Sequence, residues 1–193
     1  MGDTESEIEY DLEIFVDQAN IDYRNEFDNL CTMVCWHKRY RLGDERPECA
    51  PNEYIFPEDL SNLERRSLYL YDHSGLTMST SEFNSHWDSG WVGWIYVTHK
   101  DLRKEFGEDV DVREKGEEVI EGEVSMYDNI LRGNIWGYCV HELCPCCSNR
   151  TEVVDSCFGF IGSYLEETGI KFNLPDRFTT EEIKEAWDKR LED

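Results

Sequence analysis

The sequence predicts an α+β fold: a mainly antiparallel sheet of four or more strands with about three helices, in a single domain over residues 1–193. Three observations carry this. Short blocks of alternating, β-branched or aromatic residues recur, several at the spacing of hairpins, which join antiparallel strands. Segments near 98–107 and 113–131, and a third after Thr179, switch to the spacing or capping of helices. Apolar residues make up 39% of the chain and aromatics 13%, a load that disordered chains lack. A chain of 193 residues buries roughly 70% of its unfolded surface, so its core needs no staple.

In chain order, the first ten residues are expected to fray. Tyr10, Leu12, Ile14 and Val16 alternate with polar neighbours and predict a strand with one wet face. Leu30 to Tyr40, LCTMVCWHKRY, reads as a central strand. Gly43, Pro47, Pro51 and Pro57 make 41–57 a loop. Ser67–His73 and Leu76–Ser81 form two strands around a turn at Gly75, and Gly90–Val97 is a further buried strand. Thr98 and Asp101 carry a capping-box pattern for a short helix ending at Gly107. A longer helix spans about 113–131, with Ile120, Val124, Tyr127 and Leu131 on one apolar stripe, and ends at Gly133. Residues 134–158 read as a hairpin whose tip is Cys144-Pro-Cys-Cys-Ser-Asn. A last helix opens at Thr179 or Thr180 and buries Ile183, Trp187 and Leu191.

The charge is the most unusual property. Forty-three acidic side chains against 19 basic ones give a formal charge of −24. Such a chain repels itself, and it is excluded from direct binding to DNA, RNA or an anionic membrane, which need a basic surface. Three explanations remain open: adaptation to high salt, imitation of nucleic acid, or plain solubility. Arginine outnumbers lysine 12 to 7, which leans toward the first, whereas eight cysteines lean away from it. The first 30 residues hold ten acidic groups and one basic residue, Arg24. Residues 101–130 hold eleven acidic groups against four basic. No apolar run approaches 18 residues and the N-terminus is acidic, so a cytoplasmic protein with no membrane partner is expected, its thiols reduced, buried or metal-bound.

Three constellations could carry chemistry. Cys144-x-x-Cys147 at a hairpin tip has the spacing with which two thiolates grip a tetrahedral zinc ion. His141 and Cys157 on the same hairpin complete a candidate metal set, with Cys139 and Cys146 beside them and Cys31, Cys35 and His37 as more distant suppliers. Ordinary reduced thiols and a redox pair are the competing readings. The second constellation is Asp72 and His73, with Ser74 next and Asp88 further on. These are the parts of a nucleophilic triad, yet neighbours in a strand point to opposite faces and no G-x-S-x-G elbow exists, so turns are the competing explanation. The third is the acidic helix, where Glu114, Glu117, Glu118, Glu121 and Asp128 would bind a partner, against the reading of a simple solvated face. No nucleotide-binding glycine loop is present.

Several longer stretches, Thr32-Met-Val-Cys-Trp-His37, Leu68-Tyr-Leu-Tyr-Asp-His-Ser-Gly75, Trp87-Asp-Ser-Gly90 with Val92-Gly93 and Ile95-Tyr-Val97, and Asp155-Ser-Cys157 with Gly159-Phe160, resemble a family of small proteins encoded by phages and other mobile elements. The resemblance spans about residues 24–162. It implies a genomic setting inside a prokaryotic cell and brings no activity with it. Charge and setting together lead to the expectation of an anti-defence protein, a nucleic-acid mimic whose partner is a host restriction or CRISPR complex. The alternatives are a salt-adapted viral accessory protein, or a small hydrolase using Asp72, His73 and Asp88.

Overall fold

The computed structural model describes residues 8–85 and 87–190, and their strands fall into two antiparallel sheets. The first half of the chain holds β1 (Tyr10–Val16), α1 (Tyr23–Glu26), β2 (Thr32–Cys35), β3 (Leu63–Asp72), β4 (Leu76–Ser79) and β5 (Ser89–Thr98). It continues with α2 (His99–Phe106), α3 (Val112–Leu131), β6 (Ile135–Leu143), β7 (Arg150–Ile161), α4 (Leu165–Thr168) and α5 (Thr180–Lys189). The α+β class is as expected, but the strands divide into sheets of four and three where one sheet was anticipated. The 193 residues expected as one domain form two compact units: an inserted unit, Ile21–Arg132, and a terminal unit made of the segments on either side of it.

In the inserted unit the strand order is β2-β5-β3-β4. The 30–40 segment, expected as a central strand, forms only the four residues of β2 and lies at the end of that order. Its outer side is met by the following turn, where the Cys35 amide donates to the Glu45 carbonyl at 2.9 Å. Gly93, opposite Cys35 in the register, lets β2 come close: a Cβ there would stand 1.9 Å from the Val34 carbonyl oxygen. One sheet face presents Met33, Leu68, Met78 and Ile95, which pack with Ile120, Val124 and Tyr127 of α3. Each such side chain, fully buried, contributes about 1.5–3 kcal/mol. The apolar stripe predicted on α3 is thus the face that meets the sheet.

The caps follow the sequence signals. Thr98 Oγ1 accepts from the Asp101 amide at 3.0 Å, and α2 stops at Gly107 with φ +100°. Asp111 caps α3 by accepting from the amides of Arg113 and Glu114.

In the terminal unit β6 is the middle strand of the order β1-β6-β7. β1 pairs with it from Tyr10↔Glu142 to Val16↔Trp136. Leu12, Ile14, Trp136, Tyr138 and Val140 pack with Ile183 and Trp187 of α5. Thr179 and Glu182 form a reciprocal capping box at the start of α5. Leu191 of the predicted helix and residues 1–7 of the predicted frayed start lie outside the described residues. Among the described residues no helix is long and apolar enough to cross a membrane.

Candidate functional site

The β6–β7 hairpin turns through Cys144-Pro145-Cys146-Cys147-Ser148-Asn149. The Ser148 amide donates to the Cys144 carbonyl at 2.8 Å, and Ser148 takes a positive φ of 54°, so the chain curls back on itself. That curl gathers three thiols on the outside of the tip. The ligand atoms of Cys144, Cys146 and Cys147 all lie within 4.8 Å of one another, and the sulfurs of Cys144 and Cys146 are 2.9 Å apart. Hydrogen bonding from the Cys146 thiol, then from its backbone and from the Cys147 thiol, holds the Cys144 thiol down to about 7. Three soft donors converging in this way can hold a metal ion.

The other two members of the predicted metal set stand elsewhere. His141 Nε2 lies 3.1 Å from Glu13 Oε2, engaged across the β1–β6 pairing. Cys157 sits opposite Tyr138, far down the ladder from the tip. The structure therefore groups Cys146, and not His141 or Cys157, with Cys144 and Cys147. The adjacent Cys-Cys pair in a tight turn was the signal for this, since a turn, unlike a strand, can aim neighbouring side chains the same way.

The Asp72/His73/Asp88 constellation lies where β3 and β5 part. Tyr71 pairs with Ser89, and the Asp72 amide donates to the Asp88 carbonyl at 2.7 Å, so the two aspartates come abreast. His73 Nδ1 is 3.4 Å from Asp88 Oδ2, with the imidazole 63% exposed. Asp72 is engaged separately, 3.4 Å from Arg39 Nη1 and 3.3 Å from the Tyr40 hydroxyl. Ser74 stands in the turn with φ +58°. Asp72, Asp88 and Trp91 share with His37 a shallow pocket of about 350 Å³. His37 is oriented by the Tyr40 amide, which donates to its Nδ1 at 3.0 Å. The result is an imidazole–carboxylate pair beside a second carboxylate, with no hydroxyl nucleophile completing a relay among the described contacts.

Comparison with protein-family models, curated proteins and solved structures finds no match.

The five carboxylates expected to meet a partner on α3 separate into two groups. Glu114, Glu117, Glu118 and Glu121 are exposed, Glu117 pairing with Arg66 and Glu118 with Lys115 at 2.8 Å. Asp128 is different: its side chain is 16% exposed, its Oδ1 accepts from the Met78 amide at 2.7 Å, and its Oδ2 lies 3.5 Å from Arg132. Burial raises its pKa against the opposing pull of the Met78 amide and Arg132. Asp128 ties α3 to β4.

A second polar cluster escaped the reading of the sequence. Arg24, with a side chain only 2% exposed, donates to Asp44 through Nε at 2.9 Å and Nη2 at 2.8 Å, and to Glu123 through Nη1 at 2.7 Å. Glu123 also accepts from the amides of Leu30 and Cys31, and Asp44 from the amide of Met33. Burial opposes the charge on Arg24, yet the hydrogen bonds to Asp44 and Glu123 outweigh it and raise the pKa. Its signal was present: Arg24 is the single basic residue among the first 30. In the terminal unit, Arg150 is held by Asp11 and Glu13, at 2.6 Å each, on the wall of a pocket of about 450 Å³. The polar members of the alternating first strand were its trace.

Proposed function

We propose that this protein is an acidic inhibitor that occupies the basic, DNA-binding surface of a host defence enzyme, a restriction or CRISPR nuclease. The observation that carries the proposal is a row of exposed carboxylates, Glu114, Glu117, Glu118 and Glu121, on a chain of net charge −24. Residues three and four apart on a helix have Cβ atoms about 5–6 Å apart. That is the scale on which phosphates follow one another along a DNA strand. Two of the four are paired with cations at the surface. Exposed pairs are worth about 0–1 kcal/mol, so a stronger basic partner can exchange them. Opposite charge would speed the encounter and make the complex sensitive to salt.

The test is a tagged pull-down from host lysate, washed at low and then high salt, followed by inhibition of the recovered nuclease. Changing the four glutamates to glutamine should weaken binding and inhibition while the far-UV circular dichroism stays native. Inhibition unchanged by the four substitutions would sink the proposal.

For the hairpin tip we propose zinc as the ion, held by Cys144, Cys146 and Cys147, because thiolates select zinc among the common divalent ions. A second reading of the whole protein rests on the His73–Asp88 contact beside Asp72: a small hydrolase whose Asp72 and Asp88 line the pocket at the β3–β5 end, with His73 reaching Asp88 from outside that lining. Activity on a phosphoester or ester panel that disappears in Asp88→Asn would favour it over the inhibitor.

A further inference from the structure

The sequence spacing offers zinc four ligands, Cys144 and Cys147 with His141 and Cys157, which would make a closed site. The strand geometry works against closure. His141 is three residues from Cys144 along β6, which at about 3.3 Å per residue puts its backbone roughly 10 Å away. Cys157 lies opposite Tyr138, six residues from Cys144, which is about 20 Å of strand. The His141 ring is also engaged by Glu13. The three tip thiols, by contrast, need little adjustment. A tetrahedral zinc with Zn–S bonds of about 2.3 Å separates its sulfurs by about 3.8 Å. The observed thiols, 2.9 Å apart for Cys144 and Cys146 and within 4.8 Å throughout, bracket that spacing. Cys146 and Cys147 are exposed and Cys144 is partly so, which leaves the remaining apex toward solvent.

We infer that the hairpin tip is an open three-thiolate site, in which zinc keeps its fourth position for an exchangeable external ligand, a small thiol or water. The inference rests on the zinc reading above and adds to it the ligand set and the open apex. Three protein ligands and one vacant position are the arrangement of reactive zinc centres, whereas structural centres supply all four. Binding releases the thiol protons to solvent and leaves a site of net charge −1. An external thiol then displaces water, losing its proton, with no change in oxidation state. The Cys144 amide donates to the Asn149 carbonyl at 2.9 Å, which closes the hairpin beneath the three thiols.

The experiment is cobalt(II) titration of the reduced full-length protein, followed by addition of 2-mercaptoethanol. One cobalt per chain should bind with the sulfur-to-metal absorption of three thiolates, and the added thiol should shift the ligand-field bands and contribute a fourth. Cys144→Ser, Cys146→Ser and Cys147→Ser should each weaken binding tenfold or more, while His141→Gln and Cys157→Ser leave it unchanged. A spectrum indifferent to added thiol, or binding that weakens in His141→Gln or Cys157→Ser, would overturn the open site and leave zinc standing. Absence of stoichiometric cobalt or zinc binding would overturn both.

Discussion

Cys31 and Cys35 in the inserted unit and Cys144, Cys146 and Cys147 in the terminal unit are the same chemical group in opposite settings. The first pair is buried beneath α3, beside the Arg24–Asp44–Glu123 network. Burial, with the charge of Asp44 adding to it and Arg24 opposing, pushes the Cys35 thiol up to about 12, and burial likewise raises Cys31. At the tip, hydrogen bonds between neighbouring thiols take Cys144 the other way, while the same contacts raise Cys146. Spacing in the sequence made both sets candidate ligands. Solvent access separates them: a thiolate forms where water or donors can stabilise it, and a buried thiol stays protonated and inert.

The sealed side should break first at its charges. Arg24→Met leaves Asp44 and Glu123 with unpaired charge in a place already shielded from water. The expected cost is about 3–5 kcal/mol in urea unfolding, with Cys31 and Cys35 becoming accessible to a thiol-labelling reagent. A loss under 1 kcal/mol would mean that the network does not hold α1, β2 and α3 together. Next comes Gly93→Ala, which drives a methyl group into the Val34 carbonyl. Prising β2 from β5 should cost about 3 kcal/mol, and mass mapping should find Cys35 labelled while the labelling of the tip thiols keeps its wild-type rate.

Asp128 sharpens the contrast at smaller scale. Its raised pKa means that the folded state holds its proton more tightly than the unfolded state does. The group therefore costs stability once pH rises above its folded pKa, and that cost fades as pH falls and the carboxyl is protonated. Asp128→Asn keeps an acceptor for the Met78 amide and should be neutral to stabilising by about 1 kcal/mol at pH 7, the difference from wild type shrinking in acid. Clear destabilisation at pH 7 would show that the Arg132 pair outweighs burial. The smallest effect is expected at the open end: Cys146→Ser should shift metal-free stability by less than about 0.5 kcal/mol, since the side chain is exposed and the turn is held by backbone bonds. A larger loss would tie the tip thiols to folding.

The carboxylates of α3 show how far such reasoning extends from sequence. The stripe Ile120, Val124 and Tyr127 announces which way the helix faces, because its period is a property of the helix itself. Whether a flanking acid reaches water is not. Glu123 and Asp128 border the stripe and are taken up by Arg24 and by the amides of Leu30, Cys31 and Met78, groups 50 to 99 positions away along the chain. Glu117 lies as near the stripe yet stays exposed, paired with Arg66 of β3, and Glu121, farther round, is exposed as well.

By itself, the sequence determined the local elements and the charge. Thr98, Thr179 and Gly107 marked helix ends, alternation marked β1, a Cys-Pro-Cys-Cys turn marked the hairpin tip, and the composition set a net charge of −24. These follow from backbone torsion, capping and net charge, each of which acts over a few residues or over the whole composition. Tertiary structure alone decided that β1 pairs with β6 some 128 positions later (Leu12 with Val140), that the strands divide into two sheets, that β2 lies at the end of its sheet, and that Cys146 rather than His141 joins Cys144 and Cys147. Those outcomes depend on which distant surfaces bury one another and on the loops that must close to let them meet, and a local pattern carries no record of its distant partner.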